Sequence, residues 1–242
     1  MMRRVRWFVL LLAGCGRFGF GFDADIDAAM HDTPVDIPVD ASDGVVRFLM
    51  DDDPRGGIVT ATPAEYSVAC APCPTPAGGH IGGSYRFDGT TRVAIGHPEL
   101  VSRDPFTIAL WARADMMAGQ LMSIVSKPAS VATIDNVISF GISPTGSVFW
   151  ESSQGTLVTN ADLRGAWHHL AAAWDGTTRK LFVDGVRVGM DNVQFDDSLL
   201  DVAIGGDLDN GIPAIFFIGE IDQLELHPRA LDASEIDALA AL

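Results

Sequence analysis

Residues 165–189 read GAWHHLAAAWDGTTRKLFVDGVRVG and contain three short β-like runs separated by two turn signals. The runs are His168 to Trp174, Lys180 to Val183 and Arg187 to Gly189. The Asp-Gly pairs at 175–176 and 184–185 lie where the chain has to turn sharply, and Gly adopts the positive φ of such turns without steric cost. The stretch therefore predicts a β-hairpin over residues 180–188.

Similar short runs extend from this hairpin in both directions, from Val45 to Leu226. In the run that starts at Phe106, alternate side chains face opposite ways: Phe106, Ile108 and Leu110 against Thr107, Ala109 and Trp111. Roughly a dozen short strands at this spacing predict an all-β fold, an antiparallel two-sheet sandwich or jelly roll. One short C-terminal helix is expected, capped by Asp232 and Glu235, with an apolar stripe of Ile236, Leu239 and Leu242.

Composition restricts the class of protein. The 242 residues include 16 basic and 32 acidic side chains, so the formal net charge is -16. Such a surface repels phosphate backbones, and we expect no nucleic-acid partner. The 25 Gly and 13 Pro residues disfavour a helical bundle. No apolar run reaches the ~18 residues of a membrane span.

The N-terminus carries the pattern of an export signal. Arg3, Arg4 and Arg6 precede the apolar run of residues 7–12. Leu12-Ala-Gly-Cys15 resembles the lipobox of bacterial lipoproteins, which implies cleavage before Cys15 and lipidation of its sulfur. An ordinary signal peptide with an incidental Cys is the alternative. We expect residues 1–14 to be the signal and the protein to be anchored by lipid to the bacterial cell envelope, at the outer membrane or cell surface, with no other membrane contact.

Residues 15–43 are rich in Asp, Ala and Pro, and the acidic part from 23 to 43 contains no Lys or Arg. Self-repulsion and proline extend such a segment, so we interpret it as a disordered acidic tether. Two further cysteines follow, Cys70 and Cys73. In an exported chain this pair favours a local disulfide over a redox or zinc site. The segment from Ala64 to Gly83 around the pair is expected to be an inserted loop.

Five motifs, in order, resemble one family. They are Phe87-Asp-Gly89, Pro105 to Trp111, Gly165 to Ala171, Leu181 to Gly185, and Gly219 to Asp222 with the residues that follow it. The stretch from Tyr85 to Leu242 thereby resembles the laminin-G-like, concanavalin-A-like jelly-roll domains of bacterial surface proteins. With the first strand at 45–53, the resemblance implies one such domain over residues 44–242.

The resemblance implies candidate sites. Some members hold a structural calcium ion between the first and last strands, where this chain has Asp51, Asp52 and Asp222. The alternative is that the Asp run is a turn and Asp222 accepts hydrogen bonds from turn amides. Adjacent His168 and His169 point to opposite faces of a strand and cannot share a metal.

Aromatic side chains are candidates for stacking on sugar rings. The sequence offers Tyr66, Tyr85, Trp111, Trp150, Trp167 and Trp174. Trp111, Trp167 and Trp174 are expected in the core because they lie in family strands. Either Phe149 or Trp150 must leave the core face of its strand, which makes Trp150 the candidate ligand platform.

The function expected is a surface-anchored, non-catalytic recognition module for an extracellular carbohydrate or a protein partner. A structural envelope or adhesion component is one alternative. A glycoside hydrolase is another, because residues 220–225 read E-x-D-x-x-E, which resembles the catalytic strand of laminarinase-type glucanases. That chemistry would use Glu220, Asp222 and Glu225. On a regular strand Glu225 points away from Glu220, and only a β-bulge would bring it to the same face. No enzyme activity is therefore expected.

Overall fold

The computed structural model describes residues 43–117 and 119–242, which form eighteen strands and one α-helix. The strands are β1 Val46–Phe48, β2 Ile58–Val59, β3 Val68–Ala69, β4 Thr75–Gly78, β5 Gly83–Asp88, β6 Val93–Gly96, β7 Phe106–Ala114, β8 Met122–Pro128, β9 Asn136–Ile142, β10 Val148–Ser152, β11 Gly155–Val158, β12 His168–Trp174, β13 Thr178–Val183, β14 Val186–Asn192, β15 Val202–Ile204, β16 Asp207–Asp209, β17 Ile212–Ala214 and β18 Ile218–His227. The helix α1 is Ala233–Ala240, and short 3-10 turns occupy Pro54–Gly56, Ala64–Tyr66 and Pro98–Leu100.

Two antiparallel sheets pack face to face. The front sheet has the order β14-β13-β12-β7-β18-β5-β4, and β1 also pairs with β18. The back sheet has the order β11-β10-β9-β8-β15-β6. This confirms the predicted all-β sandwich, whose topology is consistent with a jelly roll. No helix within the described residues is long and apolar enough to cross a membrane.

The core between the sheets follows the alternation of the strands. Side chains from both sheets, such as Leu110 and Leu224 in the front and Ile124 and Phe140 in the back, are fully buried. The predicted hairpin is confirmed: Val183 pairs with Val186, and the connecting Asp184 and Gly185 both have positive φ.

The helix α1 lies on the outer face of the front sheet. Asp232 accepts the backbone N–H groups of Ser234 and Glu235, and the Glu235 carboxylate reaches back to the Asp232 N–H, as the capping-box pattern predicts. Ile236 packs against Ala109 and Ala171. The predicted stripe is shorter than expected, since the helix ends at Ala240 and Leu242 is exposed.

The segment from Ala64 to Gly83 is not simply an inserted loop. It contributes β4 to the edge of the front sheet, where Thr75 pairs with Arg86. The predicted disulfide between Cys70 and Cys73 is confirmed and lies between β3 and β4. The predicted signal, the lipidation of Cys15 and all but the last residue of the tether lie outside the described residues.

Candidate functional site

A β-bulge in β18 brings three acidic side chains to one face of the front sheet. On β7, Trp111 pairs with Asp222 and Ala109 pairs with Glu225. An interval of two residues on β7 therefore lies opposite an interval of three residues on β18. The extra residue is Gln223, which has a φ of 48°. Glu220, Asp222 and Glu225 therefore all lie on the outer face, and the expectation that Glu225 points away from Glu220 is wrong.

Basic groups contact both glutamates. Arg86 Nη1 donates to Glu220 Oε1 at 3.2 Å, and Arg113 Nε donates to Glu220 Oε2 at 3.0 Å. Arg47 Nε donates to Glu225 Oε1 at 3.1 Å, and His227 Nε2 lies 2.7 Å from Glu225 Oε2. Burial acts to raise the pKa of Glu225, but His227 and Arg47 outweigh it and leave that pKa below its usual range. A general acid of glycoside hydrolysis needs the opposite shift.

Aromatic rings lie beside these ion pairs, at the end of the front sheet where β18 begins. The guanidinium of Arg113 sits over the Trp167 ring, 5.2 Å from its centre. The exposed ring of His80 stacks on Trp111 at 3.6 Å and lies 6.4 Å from Trp167. We call the group of His80, Arg86, Arg113, Trp167 and Glu220 the Trp167 site.

Two of the three tryptophans that were expected in the core lie on the outer face instead. Trp111 is covered there by His80, and Trp167 is partly exposed. Only Trp174 packs between the sheets. The sequence contained a signal for this surface: Arg113 continues the alternation of Thr107, Ala109 and Trp111, and an arginine at that position indicates a face that meets water.

A glycine-rich loop, residues 78–83, positions His80. The Gly79 N–H donates to the Gly82 carbonyl at 3.0 Å, which closes the turn. Asp222 Oδ2 accepts the Ile81 N–H at 2.9 Å, and Asp51 Oδ1 accepts the Gly83 N–H at 2.6 Å. A Cβ on Gly79 would lie 1.9 Å from the Gly83 carbonyl oxygen, so only glycine fits there.

Asp222 is the most strongly perturbed carboxyl of this loop region. Its side chain is fully buried, and burial raises its pKa to about 7. Its Oδ2 accepts the Ile81 N–H of the loop, whereas its Oδ1 has no partner among the described residues. The contact with Ile81 is the one expected from the alternative to calcium binding, in which Asp222 accepts hydrogen bonds from turn amides.

The predicted calcium ligands are brought together only in part. Asp51 and Asp222 hold the same loop, but the Asp52 carboxylate accepts the Tyr85 hydroxyl instead. Within the described residues, no group of three or more His, Cys, Asp or Glu side chains is arranged to hold a metal ion. Calcium at Asp51, Asp52 and Asp222 therefore stays a prediction.

The structure contradicts the proposed role of Trp150. The side chain is 0% exposed, stacks on Phe195 at 5.5 Å and lies between the two sheets. The pairing of Trp150 with Phe140 fixes it on the core face, and Phe149 takes the other face. Trp150 cannot be a surface platform for a ligand.

The histidines behave as the strand geometry predicts. His168 contacts Asp184 at 2.8 Å, whereas His169 lies on the outer face with its ring edge against Trp111. Burial lowers the pKa of His169 to about 4, so its ring is neutral at physiological pH.

Comparison with solved structures finds sugar-binding domains of the same fold. The carbohydrate-binding module CBM40 of the Ruminococcus gnavus IT-sialidase, bound to α2,3-sialyllactose, has a TM-score of 0.57 and 18% identity, over 65% of this chain and 96% of that one. Domain 4 of the GH43 extracellular arabinanase AbnA from Geobacillus stearothermophilus, in complex with arabinotriose, has a TM-score of 0.54 and 20% identity, over 69% and 81%. At these identities the likeness shows the fold alone.

A larger enzyme also contains this fold. Trypanosoma rangeli sialidase matches with a TM-score of 0.64 and 13% identity, over 81% of this chain but 32% of the sialidase.

No curated protein sequence matches the chain. A laminin G family model of the concanavalin A-like lectin/glucanases superfamily matches residues 87–237. This match covers more than half of the chain, which therefore belongs to that laminin-G-like family.

Proposed function

We propose that this protein is a non-catalytic glycan-binding module, exported and held at the bacterial cell envelope by lipid on Cys15, and that it binds sugar at the Trp167 site. One observation carries the proposal: a partly exposed indole, an exposed imidazole and a fixed guanidinium lie together on the outer face of the front sheet. Aromatic faces pack against the apolar faces of ligands, and a few placed polar groups provide specificity.

The carbohydrate-binding modules of the same fold support this class of ligand. Their sequences are too distant to transfer a particular sugar, and a fold alone does not define a function. We therefore assign sugar binding to the Trp167 site from the contacts within this chain, and not from the binding sites of its structural neighbours.

A glycan array of the purified protein tests the proposal, followed by titration calorimetry with each sugar that binds. We expect Trp167→Ala to abolish binding and Tyr66→Ala to leave it unchanged, because Tyr66 is an aromatic of similar partial burial that contacts His97 outside the site. Melting curves of both variants control for folding. Failure of all saccharides to bind, or equal binding by Trp167→Ala, would contradict the proposal and favour a protein partner or a structural role.

The bulge in β18 favours the hydrolase as the second candidate, because it places Glu220, Asp222 and Glu225 on one face. The ion pairs of the two glutamates argue against it. Glu220 is held between two guanidinium groups, and the pKa of Glu225 is lowered rather than raised. A general acid in this position would have to be protonated near neutral pH.

A further inference from the structure

The guanidinium of Arg113 is fixed on one side and open on the other. Its Nε donates to Glu220 Oε2, and its Cζ lies over the Trp167 ring, 5.2 Å from the ring centre. Its Nη1 and Nη2 make no hydrogen bond to any residue within 43–117 or 119–242, and 40% of the side chain is exposed. The two Nη groups therefore form a donor pair that faces solvent in a defined orientation.

The neighbouring Arg86 does not offer such a pair. Its Nη1 and Nη2 donate to the two carboxylate oxygens of Asp115, both at 2.6 Å, and its Nη1 also contacts Glu220. Both Nη groups of Arg86 are thus engaged by Asp115, and Arg86 shares Glu220 with Arg113. Of the two guanidinium groups in the Trp167 site, only that of Arg113 keeps both Nη groups for a ligand.

The chemistry of this donor pair selects the ligand. A guanidinium binds a carboxylate through two parallel N–H···O bonds, and pre-orientation by Glu220 and Trp167 lowers the entropy lost on binding. A neutral sugar hydroxyl has a single oxygen and no charge, so it cannot form this pair of parallel charge-assisted bonds. The rings of Trp167 and His80 lie next to the donor pair and offer apolar surface to the ring of the same sugar.

Resting on the proposed function, we infer that the Trp167 site selects an acidic saccharide whose carboxylate pairs with Nη1 and Nη2 of Arg113. The chain has a net charge of -16, so its long-range field repels such a ligand. Recognition consequently depends on the short-range contacts of this one side chain.

Calorimetry with matched pairs of sugars tests the inference. The probes are 3′-sialyllactose against lactose, and a trimer of galacturonic acid against a neutral galactose trimer. We expect the acidic member of at least one pair to bind at least about tenfold more tightly than its neutral parent, as follows from the strength of charge-assisted hydrogen bonds. Sulfated lactose serves as a third probe, and tighter binding of sulfate than of any carboxylate would overturn the choice of carboxylate.

Two variants of Arg113 separate charge from geometry. Arg113→Gln removes both, and Arg113→Lys keeps the charge without the paired donors. We expect each to weaken binding of the acidic sugar at least about tenfold, and to weaken it more than binding of the neutral parent. Arg187→Gln is the matched control, because it removes an exposed arginine of β14 outside the site and should change affinity less than about twofold.

The outcomes distinguish the inference from the function on which it rests. If neutral sugars bind as well as acidic ones and Arg113→Gln binds normally, the inference is wrong while glycan binding stands. If no saccharide binds the folded wild-type protein, the proposed function fails. Melting curves of each variant confirm folding, and Arg113→Lys remains informative if Arg113→Gln does not fold.

Discussion

Replacing Lys127 by Met should destabilise the protein severely, although the new side chain is apolar and similar in length. Lys127 is 0% exposed, and its ammonium donates to the Pro98 carbonyl at 2.8 Å, the Val101 carbonyl at 2.7 Å and Asp197 Oδ1 at 2.9 Å. Met retains the packing of the stem and removes the ammonium donor from both carbonyls, whereas Asp197 Oδ1 keeps only the Ser198 N–H. Removing one partner of a fully buried ion pair costs about 3–5 kcal/mol, and this is an upper bound for a pair in which the Asp197 side chain is partly exposed.

The hydrogen bonds that Lys127→Met removes, taken one by one, give a similar free-energy cost. Each buried acceptor that is left unsatisfied costs about 1–3 kcal/mol, and two backbone carbonyls lose their donor. The Asp197 side chain is 39% exposed, so water replaces part of its lost contact. For a domain of about 200 residues the expected loss lowers the melting temperature by roughly 10 °C.

Urea unfolding followed by tryptophan fluorescence measures this free energy. Lys180→Met is the matched control, since Lys127 and Lys180 are the only lysines in the chain. Lys180 lies in β13 and pairs with Asp175 across 2.8 Å, a surface contact worth at most about 1 kcal/mol. A free energy of unfolding for Lys127→Met within 1 kcal/mol of the wild type would refute this reasoning.

The remaining predictions concern pH, calcium, catalysis and the anchor. The pKa of His169 is about 4 in the folded protein against an ordinary 6.5, so the unfolded state takes up the proton first as the pH falls. About 3 kcal/mol of stability is therefore lost between pH 6.5 and pH 4. In urea unfolding across this range, the free energy of unfolding should depend less on pH in His169→Gln than in the wild type. Millimolar calcium should raise the melting temperature by several degrees over chelator, since a hundredfold excess over Kd adds about 2.7 kcal/mol, and Asp222→Asn should remove that increase; equal melting with and without calcium would count against the site. Laminarin, lichenan and agarose should remain uncut, and hydrolysis that Glu220→Gln abolishes would instead establish an enzyme. Cys15→Ser should move the protein from the membrane fraction to the soluble fraction, and unchanged partition would reject lipidation.

Local patterns sufficed for much of the fold. The hairpin at Asp184-Gly185 and the cap at Asp232 depend on residues within a few positions of one another, so their geometry is encoded in short segments. The alternation of Phe106, Ile108 and Leu110 likewise identified the core face of β7.

The bulge at Gln223 could not be predicted from these patterns. It falls where β18 changes its neighbour on one side: Ile221 pairs with Tyr85 of β5, and Leu224 pairs with Phe48 of β1. Its cause is therefore the meeting of strands far apart in the chain. A shift of one residue moves every following side chain to the opposite face, so regular alternation alone predicts the wrong face for Glu225.

The prediction that Trp150 is a ligand platform was wrong for a related reason. Alternation required that Phe149 and Trp150 face opposite ways, but it did not determine which of them faces inward. That choice depends on the register with β9. The Trp167 site was missed because its members come from separate strands and loops, which only the assembled sheet brings together.

The route by which the chain enters the domain determines how the protein can be attached to a surface. Val46 pairs with Leu226, and Gly44 lies against Pro228, so the chain enters beside the end of β18. Glu220, in the Trp167 site, is six residues away along that strand, about 20 Å at 3.3 Å per residue. A biotin tag or a resin linkage attached at residue 43 would therefore lie at the end of the front sheet opposite the proposed sugar site, which suits the protein to an oriented sensor or an affinity matrix.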